Sequence, residues 1–437
     1  MTLETSVLQA RPARRRFLAL GGLGAVSLGA AACSRGSRTS SSGSRQITLS
    51  STSDLPDMMK ASLAAFEKTH KATVDLRIMP SDTGQYFDAI RTKLRTGSSA
   101  IDVIAGDISW PAQLGANGWL EDLSNRFTPE MRVPYLPGTI AANTYKGKIY
   151  GVPWYTDAGF LYYRKDLLDK SGFTQPPATW AELQQMAAVI MRDSATQFGL
   201  VFQGAQYEGG TVNGMEYIRT AGGDVLDKTG RVTIAGAAAA NGLKIERSMV
   251  TTRTSPSAVA DYKEDESAAA FLAGNAIFLR SWGYLYGLVS DPRQSKITTA
   301  QVGVAPLPVA NASVPAVNVG GGWNLYLNSA SRNQDLAWAL ITFISAEEQQ
   351  RIWAIKGSLL PTRLSVYGDA EVQKAMPVVV VGATVVSETT TPPVSPFYSN
   401  MSLAMAKHFN ASLRGAETPD QAAQALQTEL DAIVARH

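Results

Sequence analysis

Between residues 46 and 107 the chain alternates strand-like and helix-like patterning with a regularity that leaves few folds open. Gln46 to Ser51 alternates apolar and polar residues as a half-buried strand does. Thr52 to Pro56 reads as a turn, and Asp57 to His70 places Met58, Leu63 and Phe66 at helical spacing. Thr73 to Met79 is a second strand and Tyr86 to Leu94 a second helix, and the apolar, β-branched run Ile101 to Gly106 ends at Asp107. Strand, helix, strand, helix, strand at this spacing predicts a parallel α/β sheet. Ligands of such sheets bind beyond the carboxyl ends of the strands. Asp107 stands there and is a candidate ligand residue, with capping of the following helix (Pro111 to Gly118) as its alternative role.

The N-terminus reads as an address. Arg14-Arg15-Arg16-Phe17-Leu18 matches the twin-arginine export pattern, and the Gly/Ala-rich run to Ala32 is too short for a comfortable membrane span. It ends in Ala30-Ala31-Ala32-Cys33, small residues before a cysteine, the lipobox pattern of bacterial lipoproteins. Cys33 is the only cysteine, so neither a disulfide framework nor a cysteine metal site is available, and its expected role is the lipidation site. Residues 1–32 are then an export signal peptide and residues 33–45, rich in Ser, Gly and Arg, a flexible lipidated tether. The net charge of +3 resides in that leader, where Arg11, Arg14, Arg15 and Arg16 face Glu4. A mature chain near neutrality argues against nucleic acid as a partner. What remains is too long for one hydrophobic core and suits two lobes.

Tyr150 to Leu168 gathers Trp154, Tyr155, Tyr162 and Tyr163 around one carboxylate, Asp157. Aromatic faces beside hydrogen-bond acceptors suit a ligand with apolar faces and a hydroxylated rim, although a buried aromatic strand shows the same composition. The stretch resembles, almost residue by residue, the crossover "Y-x-V/L-P-x-x-x-D-x-G-x-L-Y-Y-R-K-D-L-L" of the extracellular solute-binding proteins (family 1) of carbohydrate ABC importers, trehalose/maltose-binding lipoproteins among them. Further motifs follow in the family's order: Pro176-Pro-Ala-Thr179-Trp180-Ala-Glu182-Leu, Val302-Gly-Val-Ala-Pro-Leu-Pro308, Gly320 to Trp323, and Gly357 to Arg363. The Thr179/Glu182 pair is a structural capping box. The resemblance runs from residue 46 to the C-terminal helix, Thr418 to Arg436.

The resemblance implies an α/β chain in a two-lobed periplasmic-binding-protein-like fold (type II), each lobe a sheet flanked by helices, with the ligand cleft between them. Lobe 1 would hold residues 46–154 and 281–322, and lobe 2 residues 155–280 and 323–437. It also places the site. Asp54, Asp107 and Asp157 would accept from sugar hydroxyls and Arg363 would donate, as would the amides of Gly321 and Gly322. Tyr155, Trp282, Tyr284 and Trp323 would supply stacking surface, and Ser81 and Glu208 complete the set. Tyr86 stands where trehalose-binding relatives carry arginine, so the trehalose subsite is expected to become a stacking one.

The function expected is capture of a sugar, an α-linked disaccharide or short oligosaccharide, and its delivery to the permease subunits of an ABC importer. The protein would be a monomer, lipid-anchored at the outer face of the cytoplasmic membrane. Binding of a non-sugar solute such as a glycerophosphodiester or polyamine is the alternative, and behind it a glycoside hydrolase using Asp107 and Asp157. His70, His408 and His437 are the only histidines, and none forms a ligand-spaced pair. Without a P-loop, a G-x-S-x-G or a dinucleotide fingerprint, neither an enzyme nor a cofactor is expected.

Overall fold

The computed structural model describes residues 45–52 and 56–435. The export signal, the tether with Cys33, and Asp54 lie outside the described residues. Two sheets organise the chain. The larger has six strands in the order β12-β6-β11-β3-β1-β2, formed by β1 (Gln46–Thr52), β2 (Thr73–Met79), β3 (Val103–Asp107), β6 (Gly151–Ala158), β11 (Gly320–Leu327) and β12 (Leu360–Pro361). β1 to β3 are parallel, whereas β11 runs antiparallel to both β3 and β6. The smaller sheet has the order β10-β7-β9-β8, with β7 (Phe160–Arg164), β8 (Phe198–Val201), β9 (Ala276–Ser281) and β10 (Val302–Ala305). A separate hairpin pairs β4 (Thr144–Tyr145) with β5 (Lys148–Ile149).

Local chemistry explains the helices that flank these sheets. The helix Thr83–Arg95 starts where the Asp82 side chain accepts from the Gln85 amide at 3.1 Å, and it buries Tyr86, Phe87, Ile90 and Leu94 along one stripe. The helix Trp180–Asp193 opens with the expected reciprocal box between Thr179 and Glu182. A second box, Thr418 with Gln421, opens the last helix, Pro419–Val434. Leu49, Val103, Leu325 and Leu327 are buried with Leu336, Leu340 and Trp353 on the larger sheet. Leu161, Leu200 and Phe278 are buried with Trp180, Leu183 and Ile190 on the smaller one. Each such side chain stabilises the fold by roughly 1.5–3 kcal/mol relative to exposure.

The strand partners redraw the expected lobe boundaries. Tyr155 and Asp157, expected to open lobe 2, belong to β6 in the larger sheet; the passage is at Gly159, between β6 and β7. The segment 281–322, expected in lobe 1, contains β10, which pairs with β7 of the smaller sheet. Residues after 323, expected in lobe 2, continue β11 and add β12 to the larger sheet. The helices Gln334–Ile344 and Glu347–Gly357 also pack there, whereas Val366, Met376, Val378 and Val385 are buried with Phe160, Tyr162 and Leu279 of the smaller sheet, and the last two helices pack in the smaller lobe.

Candidate ligand site between the sheets

The register of the larger sheet sets three half-buried side chains in one row. Trp323 on β11 lies opposite Asp107 on β3 and opposite Tyr155 on β6. Residues paired across neighbouring strands share a face, so one carboxylate and two aromatic rings stand together at the carboxyl end of β3. Trp323 is supported from behind: the Tyr86 ring stacks on it at 5.9 Å and 25°, and Trp110 meets it at 6.0 Å. Tyr86 is fully buried, its hydroxyl donating to the Ala105 carbonyl (2.9 Å) and 2.8 Å from Ser50 Oγ. This corrects the expectation that Tyr86 offers a stacking face to the ligand. It lies on the buried stripe of its helix and acts on the row only through Trp323.

Asp107 accepts from the Ser109 amide (2.9 Å) and hydroxyl (2.6 Å), while burial pushes its carboxyl up. The cap of the following helix is Trp110, so the alternative capping role for Asp107 is not the one observed. Glu208 opens the helix Glu208–Thr220 of the smaller lobe and accepts from Tyr398 Oη at 2.6 Å and from the Ser402 hydroxyl. Burial first, and the charge of Asp107 second, push the Glu208 carboxyl up to about 7. The two carboxyls thus feel each other across the meeting of the lobes.

Asp157 has a different position from the one expected of a sugar acceptor. Its Oδ1 accepts from the amides of Ala158 and Gly283, each at 2.9 Å, and burial pushes it up to about 7. It therefore fastens the Trp282-Gly283 turn to β6. The indole of Trp282 lies under the Arg280 guanidinium, 3.9 Å from Cζ to ring centroid. Gly321 and Gly322 serve close approach. A Cβ on Gly321 would sit 2.9 Å from Trp282 Cζ3, and Gly322 has φ 115° with a Cβ position only 2.4 Å from the Tyr155 carbonyl. Tyr284 is half-buried against the core of the larger lobe, its phenol pushed up by burial and by Glu264 and Asp157.

Arg363 is not brought to this row. Its Nε donates to the Ser345 carbonyl (2.9 Å) and its Nη2 to Tyr135 Oη (3.0 Å), with the guanidinium 4.5 Å over the Tyr135 ring. It lines a separate pocket of about 250 Å³ with Phe127, Met131 and Trp338. Ser81 is exposed, and its neighbour Asp82 makes the contact that sequence reasoning missed, an ion pair with Lys263 of the smaller lobe at 2.9 Å. Lys263 also lies 4.8 Å over the Tyr207 ring, whose hydroxyl donates to Glu264 at 2.7 Å. A second bridge joins the lobes where Gln113 Oε1 accepts from the Ser399 amide (3.0 Å) and hydroxyl (2.6 Å). The available signals were slight: Asp82 and Tyr207 each adjoin a residue already singled out.

Among the described residues no group of three or more His, Cys, Asp or Glu side chains could hold a metal ion, and no helix is long and apolar enough to cross a membrane. The arrangement can stack a ring on Trp323 and Tyr155 while carboxylates accept hydrogen bonds from its rim. Residues 50–351 match the family described as bacterial extracellular solute-binding protein. A relative from Deinococcus radiodurans, named a probable ABC transporter-binding protein, is 34% identical over 326 residues, covering 74% of this chain and 76% of the relative. The mannitol-binding protein of Pseudomonas aeruginosa is 24% identical over 392 residues, 83% of this chain and 86% of that one. Among solved structures, maltose-bound T. maritima MalE3 is 32% identical with a TM-score of 0.84, covering 89% of this chain and 100% of the other.

Proposed function

We propose that this chain, which belongs to the bacterial extracellular solute-binding protein family, captures a sugar and delivers it to the permease subunits of an ABC importer. The observation that carries the reading is the in-register row of Asp107, Trp323 and Tyr155, with Glu208 facing it from the other lobe. A pyranose stacks its C–H faces on aromatic rings, and hydrogen bonds from its hydroxyls to charged acceptors contribute roughly 1.5–3 kcal/mol each. The maltose in the T. maritima structure and the name of the mannitol-binding relative support sugars or polyols as the ligand class. An α-linked disaccharide or short oligosaccharide is the ligand we favour. The protein works as a monomer, held at the outer face of the cytoplasmic membrane by a lipid on Cys33 after export directed by Arg14 and Arg15, and it catalyses no reaction.

A thermal-shift screen tests the ligand class. A solute that binds only the native state stabilises it by about 2.7 kcal/mol at a hundredfold excess over its dissociation constant. The expected result is a rise in melting temperature with sugars or polyols. A rise confined to polyamines or glycerophosphodiesters overturns the sugar reading. Cys33→Ala is expected to release the protein from membranes or leave the precursor unprocessed, and an acylated Cys33→Ala product would refute the anchor.

A further inference from the structure

We infer that Arg280 is a positioning residue for the ligand site: through its guanidinium it fixes Trp282 as a rigid stacking surface. The inference rests on the reading that the site grips its solute through aromatic faces. Arg280 is the penultimate residue of β9 and Trp282 follows its last residue, Ser281, so the two side chains lie two residues apart along extended chain, on one face. Arg280 is only 3% exposed. Its Nε and Nη2 donate to the two oxygens of Glu216 at 2.7 and 2.6 Å, and its Nη1 donates to Gln203 Oε1 at 3.0 Å. Gln203 is held in turn, donating through Nε2 to Ser267 Oγ (2.7 Å) and to the Arg280 carbonyl (3.0 Å). The planar fork is thereby locked in one orientation, with its face 3.9 Å from the indole centroid.

The other sides of Trp282 are fixed independently. Gly321 abuts the ring edge, where even a methyl group would come within 2.9 Å of Cζ3. Tyr162 Oη donates to the Trp282 carbonyl at 2.9 Å, and Asp157 holds the next amide. The Trp282 side chain is half-buried, packed on the apolar core of the smaller lobe and beside Gly321. A fully buried ion pair contributes little net stability compared with apolar side chains of the same volume. What this one supplies is orientation, since a flat, charge-paired guanidinium holds an aromatic ring better than a flexible ammonium can. A ring already ordered before the solute arrives removes an entropic cost from binding.

Two arms test this. Arg280→Lys keeps the charge beside Glu216 and removes the fork; Arg280→Met combined with Glu216→Gln removes both charges together, should the lysine variant fail to fold. In the first arm, without any ligand, acrylamide quenching of tryptophan fluorescence is compared between each variant and its parent, with and without Trp282→Phe. Quenching is expected to increase only where Trp282 is present. Unchanged quenching, or the same increase in the Trp282→Phe background, overturns the inference. In the second arm, maltose binding is measured by calorimetry, and Arg280→Lys is expected to weaken it about five- to tenfold, with no further loss in the Trp282→Phe background. An equal loss in both backgrounds would show that Arg280 acts independently of Trp282. A wild-type protein that binds no sugar refutes the proposed function, and the quenching arm then decides the positioning role alone.

Discussion

Replacing Glu246 by glutamine should flatten the dependence of stability on pH. Glu246 lies on the helix Ala237–Thr251, is 2% exposed, and its Oε2 has no hydrogen-bond partner. Burial alone pushes its carboxyl from the ordinary 4.5 up to about 8. The native state therefore holds this proton across a range in which the unfolded chain has released it. Stability from the neutral carboxyl is fully present below pH 4.5 and is lost as the pH rises through about 8. Within that window the slope is about −1.4 kcal/mol per pH unit, so about 2.7 kcal/mol separates pH 5.5 from pH 7.5. Asp157 and Glu208, both pushed up to about 7, add slopes of the same sign, but they are common to wild type and variant and cancel in the comparison. Urea unfolding of both proteins at the two pH values measures the difference. The Glu246→Gln protein should lose less stability between pH 5.5 and 7.5 by about that amount. Equal losses would mean that Glu246 is not held neutral in the native state.

Asp107→Asn and Glu208→Gln should each weaken sugar binding by about ten- to a hundredfold in calorimetry, the value of a charged hydrogen bond; unaltered affinity in both removes them from the site. Lys263→Met breaks the ion pair with Asp82, in which the lysine is 47% and the aspartate 25% exposed. Such a pair contributes about 0–1 kcal/mol, so at low salt affinity should fall by at most about fivefold, with the difference vanishing in 1 M salt. Gly322→Ala places a methyl 2.4 Å from the Tyr155 carbonyl at φ 115°, and should lower stability by roughly 1–3 kcal/mol in thermal unfolding. Tyr86→Phe removes a buried phenol bonded to Ala105 and beside Ser50. It should cost about 1–2 kcal/mol of stability without changing the ranking of sugars; a changed ranking would reinstate Tyr86 as a ligand subsite.

Local pattern carried the reading wherever a structure depends on near neighbours. β1, β2 and β3 lie within two residues of their expected bounds because alternation and β-branching act within a few positions, and the Thr179 cap needs only Glu182. The position of Asp107 as the last residue of β3 was legible from the apolar run before it. Failures came where the deciding partner is distant. Nothing local marks the break between the helices Gln334–Ile344 and Glu347–Gly357, where the Ser345 carbonyl accepts from Tyr135 and Arg363. β10 gave no sign that its neighbour would be β7 rather than a strand of the larger sheet. Arg363 bore a family motif, yet Tyr135 supplies its ring and hydroxyl. Tyr86 was readable as core, since Phe87, Ile90 and Leu94 mark the same helical stripe.

One strand run passes from the larger sheet into the smaller with a single residue between them, Gly159, flanked by Ala158 of β6 and Phe160 of β7. Any rotation of one sheet against the other must wind up torsion at that point, while the longer passage from Ala305 to Gly320 has slack to follow. A side chain at residue 159 would jam the axle, because its Cβ would sit 2.3 Å from Glu216 Oε1. Tyr155 lies four positions upstream on the same strand, about 13 Å along it at 3.3 Å per residue. Under the proposed function, a solute resting on that ring would pull on a short lever whose axle is the strand itself, so a small angular change there would become a larger sweep at any point farther from Gly159.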